Sequence, residues 1–103
     1  MPRRRNYRNE IDEQLAHRNF RRSFLCQAIN KMVAGDFETA KSVLREYIHG
    51  TVGFVSLGDA LSKSPKSLLR MLGPTGNPQA RNLFEILAYL QKIDGTLLEV
   101  RPS

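Results

Sequence analysis

Apolar residues recur every three to four positions along almost the whole chain, a spacing typical of amphipathic helices. A first short helix is predicted over residues 9–17, around Ile11 and Leu15. Asn19 is predicted to cap the next helix. Its inward side carries apolar residues at four-residue steps, which are Phe20, Phe24, Ala28 and Met32.

Gly35 is predicted to end that helix, and Asp36 to cap a third helix that closes at Gly50. The third helix is predicted to have one apolar face, formed by Phe37, Ala40, Leu44 and Tyr47. After Gly53 the segment FVSLGDALS predicts a short helix with apolar residues at positions 54, 57 and 61.

The segment SPKSLLRMLGPTGNP, residues 64–78, contains two proline residues that each follow a capping residue. Ser64 and Pro65 predict the start of a helix, because proline at the first helical position loses no hydrogen bond. Gly73-Pro74 predicts its end, since the residue before proline avoids helical geometry. Asn77-Pro78 is predicted to start the last helix. The helix between, residues 65–72, has only about two turns and must be held by packing.

The faces of this two-turn helix differ in chemistry. Leu68 and Leu72 fall on one side, while Lys66, Ser67 and Arg70 fall on the other, with Leu69 on the rim. With the short helix before it, this pattern is typical of a helix-turn-helix, whose second helix enters the DNA major groove. Arg and Lys donate to guanine acceptors, and leucine contacts a thymine methyl. The alternative interpretation is an amphipathic helix with a solvated basic face.

The last helix is predicted to bury one apolar side, formed by Leu83, Ile86, Leu87, Leu90 and Ile93. The segment TLLEV after Gly95 has β-type composition and predicts a short C-terminal strand. The expected fold is all-α, with five to six short helices in a single domain over residues 9–103.

The chain has 103 residues and a net charge of +6, and residues 1–35 carry eight of the sixteen cations. A basic protein of this size suits a polyanionic partner. Residues 1–8 form a basic N-terminal arm in which Arg3, Arg4 and Arg5 are candidates for tracking DNA phosphates. The alternative is a solvated, disordered terminus.

Several function classes are disfavoured. Cys26 is the only cysteine, so no internal disulfide or thiolate zinc site is expected, and His17 and His49 lie far apart in the chain. No nucleophile–base pair stands out, so neither an enzyme nor a cofactor is expected. No apolar run approaches the roughly 18 residues of a membrane span. The start MPRRR lacks a signal-peptide apolar region. A cytoplasmic protein without a membrane partner is therefore expected.

Three segments in order carry a family resemblance: GDFETAKSVLREYIHG, SLGDALSKSPKSLLRMLGPTGNPQARNLFEILAYL, and a short apolar tail ending in Pro. They resemble the addiction-module antidote family over roughly residues 7–102. These are small antitoxins with a lambda-repressor-like helix-turn-helix domain. The more specific parts are Gly35-Asp36, Leu44-Arg45, the pattern at Ser64, Ser67, Leu68 and Arg70, and Gly76-Asn77-Pro78.

The resemblance implies a dimeric cytoplasmic protein that neutralises a RelE/ParE-like toxin encoded beside it and represses their shared promoter. Family DNA-reading positions correspond to Lys66, Ser67 and Arg70, with Ser64 as cap and phosphate contact. The sequence departs from the family at Gly58, where alanine is usual, at Ser62 and Lys63 in the turn, and at Leu69, often Tyr.

Two expectations follow from these departures. Gly58 should weaken the first motif helix by up to about 1 kcal/mol. The altered turn leaves open a second function, a protein-interaction module that keeps this fold and has lost specific DNA binding.

The apolar surface of the last helix and of the segment TLLEV is expected to mediate homodimerisation.

Overall fold

A computed structural model describes residues 10, 11, 13, 15, 17–99, 101 and 102. All regular secondary structure among the described residues is helical, in agreement with the expected all-α fold. Helical residues at 10, 11, 13 and 15 precede the first complete helix. The five complete helices are α1 (Arg18–Val33), α2 (Phe37–Gly50), α3 (Phe54–Leu61), α4 (Pro65–Met71) and α5 (Ala80–Asp94).

The turn between α1 and α2 is formed by residues 34–36. Gly35 has a φ of +85°, a left-handed conformation that favours glycine, and the N–H of Asp36 donates to the Lys31 carbonyl at 2.8 Å. The predicted helix end at Gly35 is thus confirmed. The predicted cap at Asn19 is wrong, because α1 begins one residue earlier at Arg18 and Asn19 lies inside its first turn.

Asp36 caps α2 as predicted. Its carboxylate accepts from the N–H of Thr39 at 3.2 Å. Hydrogen bonds from the Thr39 side chain and from this N–H lower the pKa of Asp36 below its usual value. The apolar face of α2 is buried at Ala40, Leu44 and Tyr47. Phe37 was expected on that face but is 56% exposed. It occupies the first turn of α2, at the edge of the core.

The start of α5 differs from the prediction. The helix begins at Ala80 rather than at Asn77-Pro78, because residues 77–79 continue the loop that follows α4. Its inward side is buried as expected at Leu83, Ile86, Leu87 and Leu90. Ile93 was expected there and is 47% exposed.

The predicted C-terminal strand is absent from the described residues 96–99, 101 and 102. A strand needs a hydrogen-bonding neighbour, and the described part of this chain offers none. The tail instead packs by side-chain bonds: the N–H of Leu98 donates to Gln91 Oε1 at 2.8 Å, and Arg22 Nε donates to Thr96 Oγ1 at 2.9 Å.

The junction between α1 and α5 is built around Asp94, whose side chain is only 2% exposed. Arg21 Nε donates to Asp94 Oδ1 at 2.7 Å, and the Thr96 hydroxyl donates to Oδ2 at 2.6 Å. Burial alone raises the pKa of Asp94, but the hydrogen bonds from Thr96 and Arg21 and the charges of Arg21 and Arg18 outweigh it. The net shift is below the usual value, so Asp94 is ionised at neutral pH.

One core joins the helices. The largest side chains that are essentially inaccessible to solvent among the described residues are Leu15, Leu25, Leu44, Tyr47, Ile48, Leu57, Leu68, Leu72, Ile86 and Leu90. Burial raises the pKa of Tyr47 to about 12, with a further contribution from Asp94. Cys26 is half-buried.

Candidate nucleic-acid interface

Two short helices and the turn between them form the unit that the sequence singles out. We call α3, residues 62–64 and α4 together the α3–α4 unit. Ser64 caps α4 as predicted, since its hydroxyl accepts from the N–H of Ser67 at 3.0 Å. Pro65 occupies the first helical position. The start of the second helix is therefore fixed by local sequence.

Packing and exposure divide α4 as the sequence predicts. Leu68 and Leu72 are fully buried, and they anchor the seven-residue helix to the core. Lys66, Ser67 and Arg70 are exposed. The exposed residues of α4 and its cap form one face, which comprises Ser64, Lys66, Ser67, Leu69 and Arg70. Leu69 lies on this face with 48% of its surface exposed.

The turn of the α3–α4 unit depends on Gly58. Its backbone lies against the Lys63 carbonyl so closely that a Cβ at this position would overlap the carbonyl oxygen. The Lys63 N–H also donates to the Gly58 carbonyl at 2.9 Å. The expectation that Gly58 merely weakens α3 relative to alanine is therefore incomplete, because the absent side chain lets the turn fold back onto the helix.

Ser62 ends α3 in a left-handed conformation, with a φ of 56°. It is the only non-glycine residue with positive φ among those the structure describes. An L-residue pays roughly 1–2 kcal/mol for this conformation. The turn thus forms without a glycine at this position, at a cost in strain.

The loop after α4 approaches the helix even more closely. The N–H of Gly76 donates to the Gly73 carbonyl at 3.0 Å and closes a turn over Pro74 and Thr75. A Cβ on Gly76 would overlap the carbonyl oxygens at the end of α4. These carbonyls and the loop therefore pack as backbone against backbone.

Lys41 binds the backbone of this loop, a role that was not predicted from the sequence. Its side chain is buried, and Nζ donates to the Gly73 carbonyl at 3.1 Å and to the Gly76 carbonyl at 2.7 Å. Glu38 pairs with the same ammonium at 3.0 Å. One signal was available: Lys41 falls on the buried side of α2, between Ala40 and Leu44, where a cation needs partners.

The stretch of sequence that contains α4 carries charge of one sign. Between Asp59 and Glu85 the sequence holds four cations and no carboxylate, and the cations are Lys63, Lys66, Arg70 and Arg81. A stretch with this imbalance attracts polyanions. Arg3, Arg4 and Arg5, the candidate phosphate contacts of the arm, lie outside the described residues.

Other kinds of site have little support in the described part of the chain. Within it, no three His, Cys, Asp or Glu side chains gather closely enough to hold a metal ion. No described helix has the length and apolar character to cross a membrane.

No family model, no curated protein and no solved structure matches the chain. The resemblance to the antidote family therefore remains a prediction from the sequence.

Proposed function

We propose that this protein is a DNA-binding transcriptional regulator of the antitoxin type, acting in the cytoplasm as a homodimer. In this proposal the α3–α4 unit is the helix-turn-helix of a lambda-repressor-like domain, and α4 enters the major groove of operator DNA. The supporting observation is the division of α4: Leu68 and Leu72 are fully buried, while Lys66, Ser67 and Arg70 are exposed. A helix anchored in this way presents a rigid polar face to a groove.

Arg70 is the proposed base reader. Its planar guanidinium can donate to two guanine acceptors at once, whereas Lys66 offers a single flexible ammonium. Ser67 adapts to a base or a phosphate, Leu69 contacts a thymine methyl, and Ser64 adds a phosphate contact at the helix start. The arginine residues of the N-terminal arm contribute phosphate contacts that carry no sequence information.

A selected-site binding assay at two salt concentrations tests this proposal. Arg70→Ala should lose about 1–3 kcal/mol of binding free energy and relax the preference at one base pair. The Arg4/Arg5 double alanine variant should bind all sequences less tightly, with a flatter salt dependence. Arg101→Ala removes a cation whose side chain is 82% exposed on the C-terminal tail, and it should change neither property. Unchanged affinity and selectivity in Arg70→Ala would refute α4 as the reader.

The second part of the proposal is neutralisation of a cognate RelE/ParE-like toxin. Only the family resemblance supports it. Co-expression with the product of the adjacent gene, followed by affinity purification, should recover a stable complex and relieve toxicity. Toxin binding without operator binding would favour the alternative, a protein-interaction module that has lost specific DNA binding. A neighbouring product that is neither toxic nor bound would remove the antitoxin assignment.

A further inference from the structure

A groove of about 320 Å³ opens between the first turns of α2 and α5. Its lining is largely apolar and includes Met32, Ala40, Leu44, Pro78 and Leu83. Phe37 forms part of one wall and is 56% exposed, and Ala80 forms part of the other. An open groove with a half-exposed aromatic ring in its wall is typical of a surface that binds another molecule.

An exposed phenyl ring lies beside this groove on the same helix. Phe84 is 63% exposed and lies one helical turn beyond Ala80, so the two are neighbours on the surface of α5. Arg81, three residues before Phe84, has a side chain that is 87% exposed, and its Nε lies 3.5 Å from a carboxylate oxygen of Glu85 on the same helix. Such an exposed pair is weak, so the guanidinium can still bind a second carboxylate. This side of α5 therefore carries an apolar ring and a cation next to an apolar groove.

The groove is lined by one anion and one cation, Glu38 and Lys41, and Lys41 is buried, so the exposed charge is that of Glu38, opposite to that of Arg81. Glu38 lines the groove with a side chain that is 69% exposed, although it also contacts the buried Lys41. Asp36 lies two residues earlier, and its lowered pKa keeps it ionised. A ring with an adjacent cation thus faces outward beside a groove with an acidic rim.

We propose that the groove receives Phe84 of a second copy of this chain, with Arg81 of each copy beside Glu38 of the other. A twofold interface uses the same patch on both copies, so the ring and its groove must lie on one surface. Phe84 and Ala80 satisfy this condition. Size is also sufficient, since a cavity of about 150 Å³ already accommodates benzene.

This inference rests on the homodimer included in the proposed function and specifies its interface. It places the interface at the starts of α5 and α2. Of the two surfaces expected from the sequence, it uses the last helix and not the segment TLLEV. Two Phe84 rings and two Phe37 rings lose water in the dimer. Each aromatic ring buries about 150–250 Å² when fully covered, and rings of this kind dominate interface energetics.

Sedimentation of the full chain at micromolar concentration tests the apolar contact of the proposed interface, in which Phe84 enters the groove. The parent protein should be a dimer, and Phe84→Glu should raise the dimer dissociation constant by more than about 100-fold, because both copies lose the ring. Val55→Glu is the matched control, since Val55 is 66% exposed on α3, and it should remain a dimer. Circular dichroism melts establish that both variants stay folded.

Charge reversal tests the contact between Arg81 and Glu38 of the proposed interface and leaves Phe84 unchanged. Arg81→Glu and Glu38→Lys should each weaken the dimer by about tenfold, because like charges then face each other at both contacts. An equimolar mixture of the two variants should restore dimers. In the mixed dimer, residue 81 of each copy again faces an opposite charge at residue 38 of the other. Loss of the contact between Glu38 and Lys41 cannot account for such recovery.

Three results would overturn the inference: a monomeric parent protein, an undiminished dimer in Phe84→Glu, or dissociation in Leu97→Glu with Phe84→Glu intact. Leu97 is 81% exposed and represents the segment TLLEV, which the sequence analysis expects at the dimer interface. Failure of the DNA proposal is distinguishable. A dimer that depends on Phe84 but binds no operator leaves this interface standing and removes the assigned function.

Discussion

Two regions of the molecule each depend on one buried charged side chain. Lys41 contacts the loop that follows α4, and Asp94 lies at the junction of α1 and α5. Lys41 donates to the carbonyl oxygens of Gly73 and Gly76, which do not titrate, and its titrating partner, Glu38, is 69% exposed. Asp94 is held by donors on Arg21 and Thr96, and its own charge is the centre of the network. The first region therefore depends on close backbone packing, whereas the second depends on the ionisation of a carboxylate.

Replacing Lys41 should have the largest effect on this comparison. Lys41→Met should lower the free energy of unfolding by about 3 kcal/mol, because the carbonyls of Gly73 and Gly76 lose their donor while staying partly buried. Urea denaturation measures the loss. Lys92→Met, at an exposed position on α5, is the control and should change stability by less than about 0.5 kcal/mol. A Lys41→Met variant as stable as its control would show that the loop does not need this cation.

Asp94→Asn should lower the free energy of unfolding by about 2 kcal/mol at neutral pH, because an amide cannot accept from both Arg21 and Thr96. The folded-state pKa of Asp94 is lowered, so its contribution is complete above the unfolded-state pKa of about 3.9 and is lost as the pH falls through the folded-state pKa. The difference between parent and variant should therefore shrink below about pH 4.

Denaturation at pH 7, 4 and 3 measures that difference. Asp59→Asn, at an exposed position on α3, should match the parent at each pH. A gap between the parent and Asp94→Asn that stays constant down to pH 3 would contradict the proposed dependence on charge.

Gly58→Ala separates backbone packing from helix propensity. Propensity alone predicts a gain of up to about 1 kcal/mol. The overlap with the Lys63 carbonyl predicts a net loss of about 1–2 kcal/mol instead. Thermal denaturation gives the sign. Ser56→Ala on the exposed side of α3 has no such overlap and should be neutral or slightly stabilising. A stabilised Gly58→Ala protein would contradict close packing of the turn.

Ser62→Gly should have the smallest effect and the opposite sign. Glycine adopts positive φ without strain, so the variant should gain about 1 kcal/mol in free energy of unfolding. The same change at Ser56, inside α3, should cost about 0.5 kcal/mol. If both substitutions destabilise the protein equally, Ser62 carries no strain.

Local chemistry made much of the fold predictable. Ser64, Asp36 and Gly35 each act within three residues of their own position, so a single sequence reveals their roles. The division of α4 into buried and exposed sides follows from its periodicity. The positions of the helices were therefore predictable nearly throughout.

Features that depend on distant partners were not predictable. Lys41 meets its carbonyl partners 32 and 35 residues further along the chain, and no local pattern encodes that approach. Residues 77–79 remain in a loop although Asn77-Pro78 has the form of a helix start. Phe37 and Ile93 fit an apolar stripe but lie beyond the edge of the core, where periodicity alone does not distinguish buried positions from exposed ones.

The turn at residues 34–36 has a consequence for the order in which the chain assembles. It joins α1 and α2, which make the most extensive contact among the described helices, so this hairpin closes a very short loop. Contacts between near neighbours in sequence form quickly. The loop after α4 is fixed later, because its Gly73 and Gly76 carbonyls lie 32 and 35 residues from their donor, Lys41 on α2. Amide hydrogens in α4 should consequently exchange with solvent through openings that leave the hairpin intact.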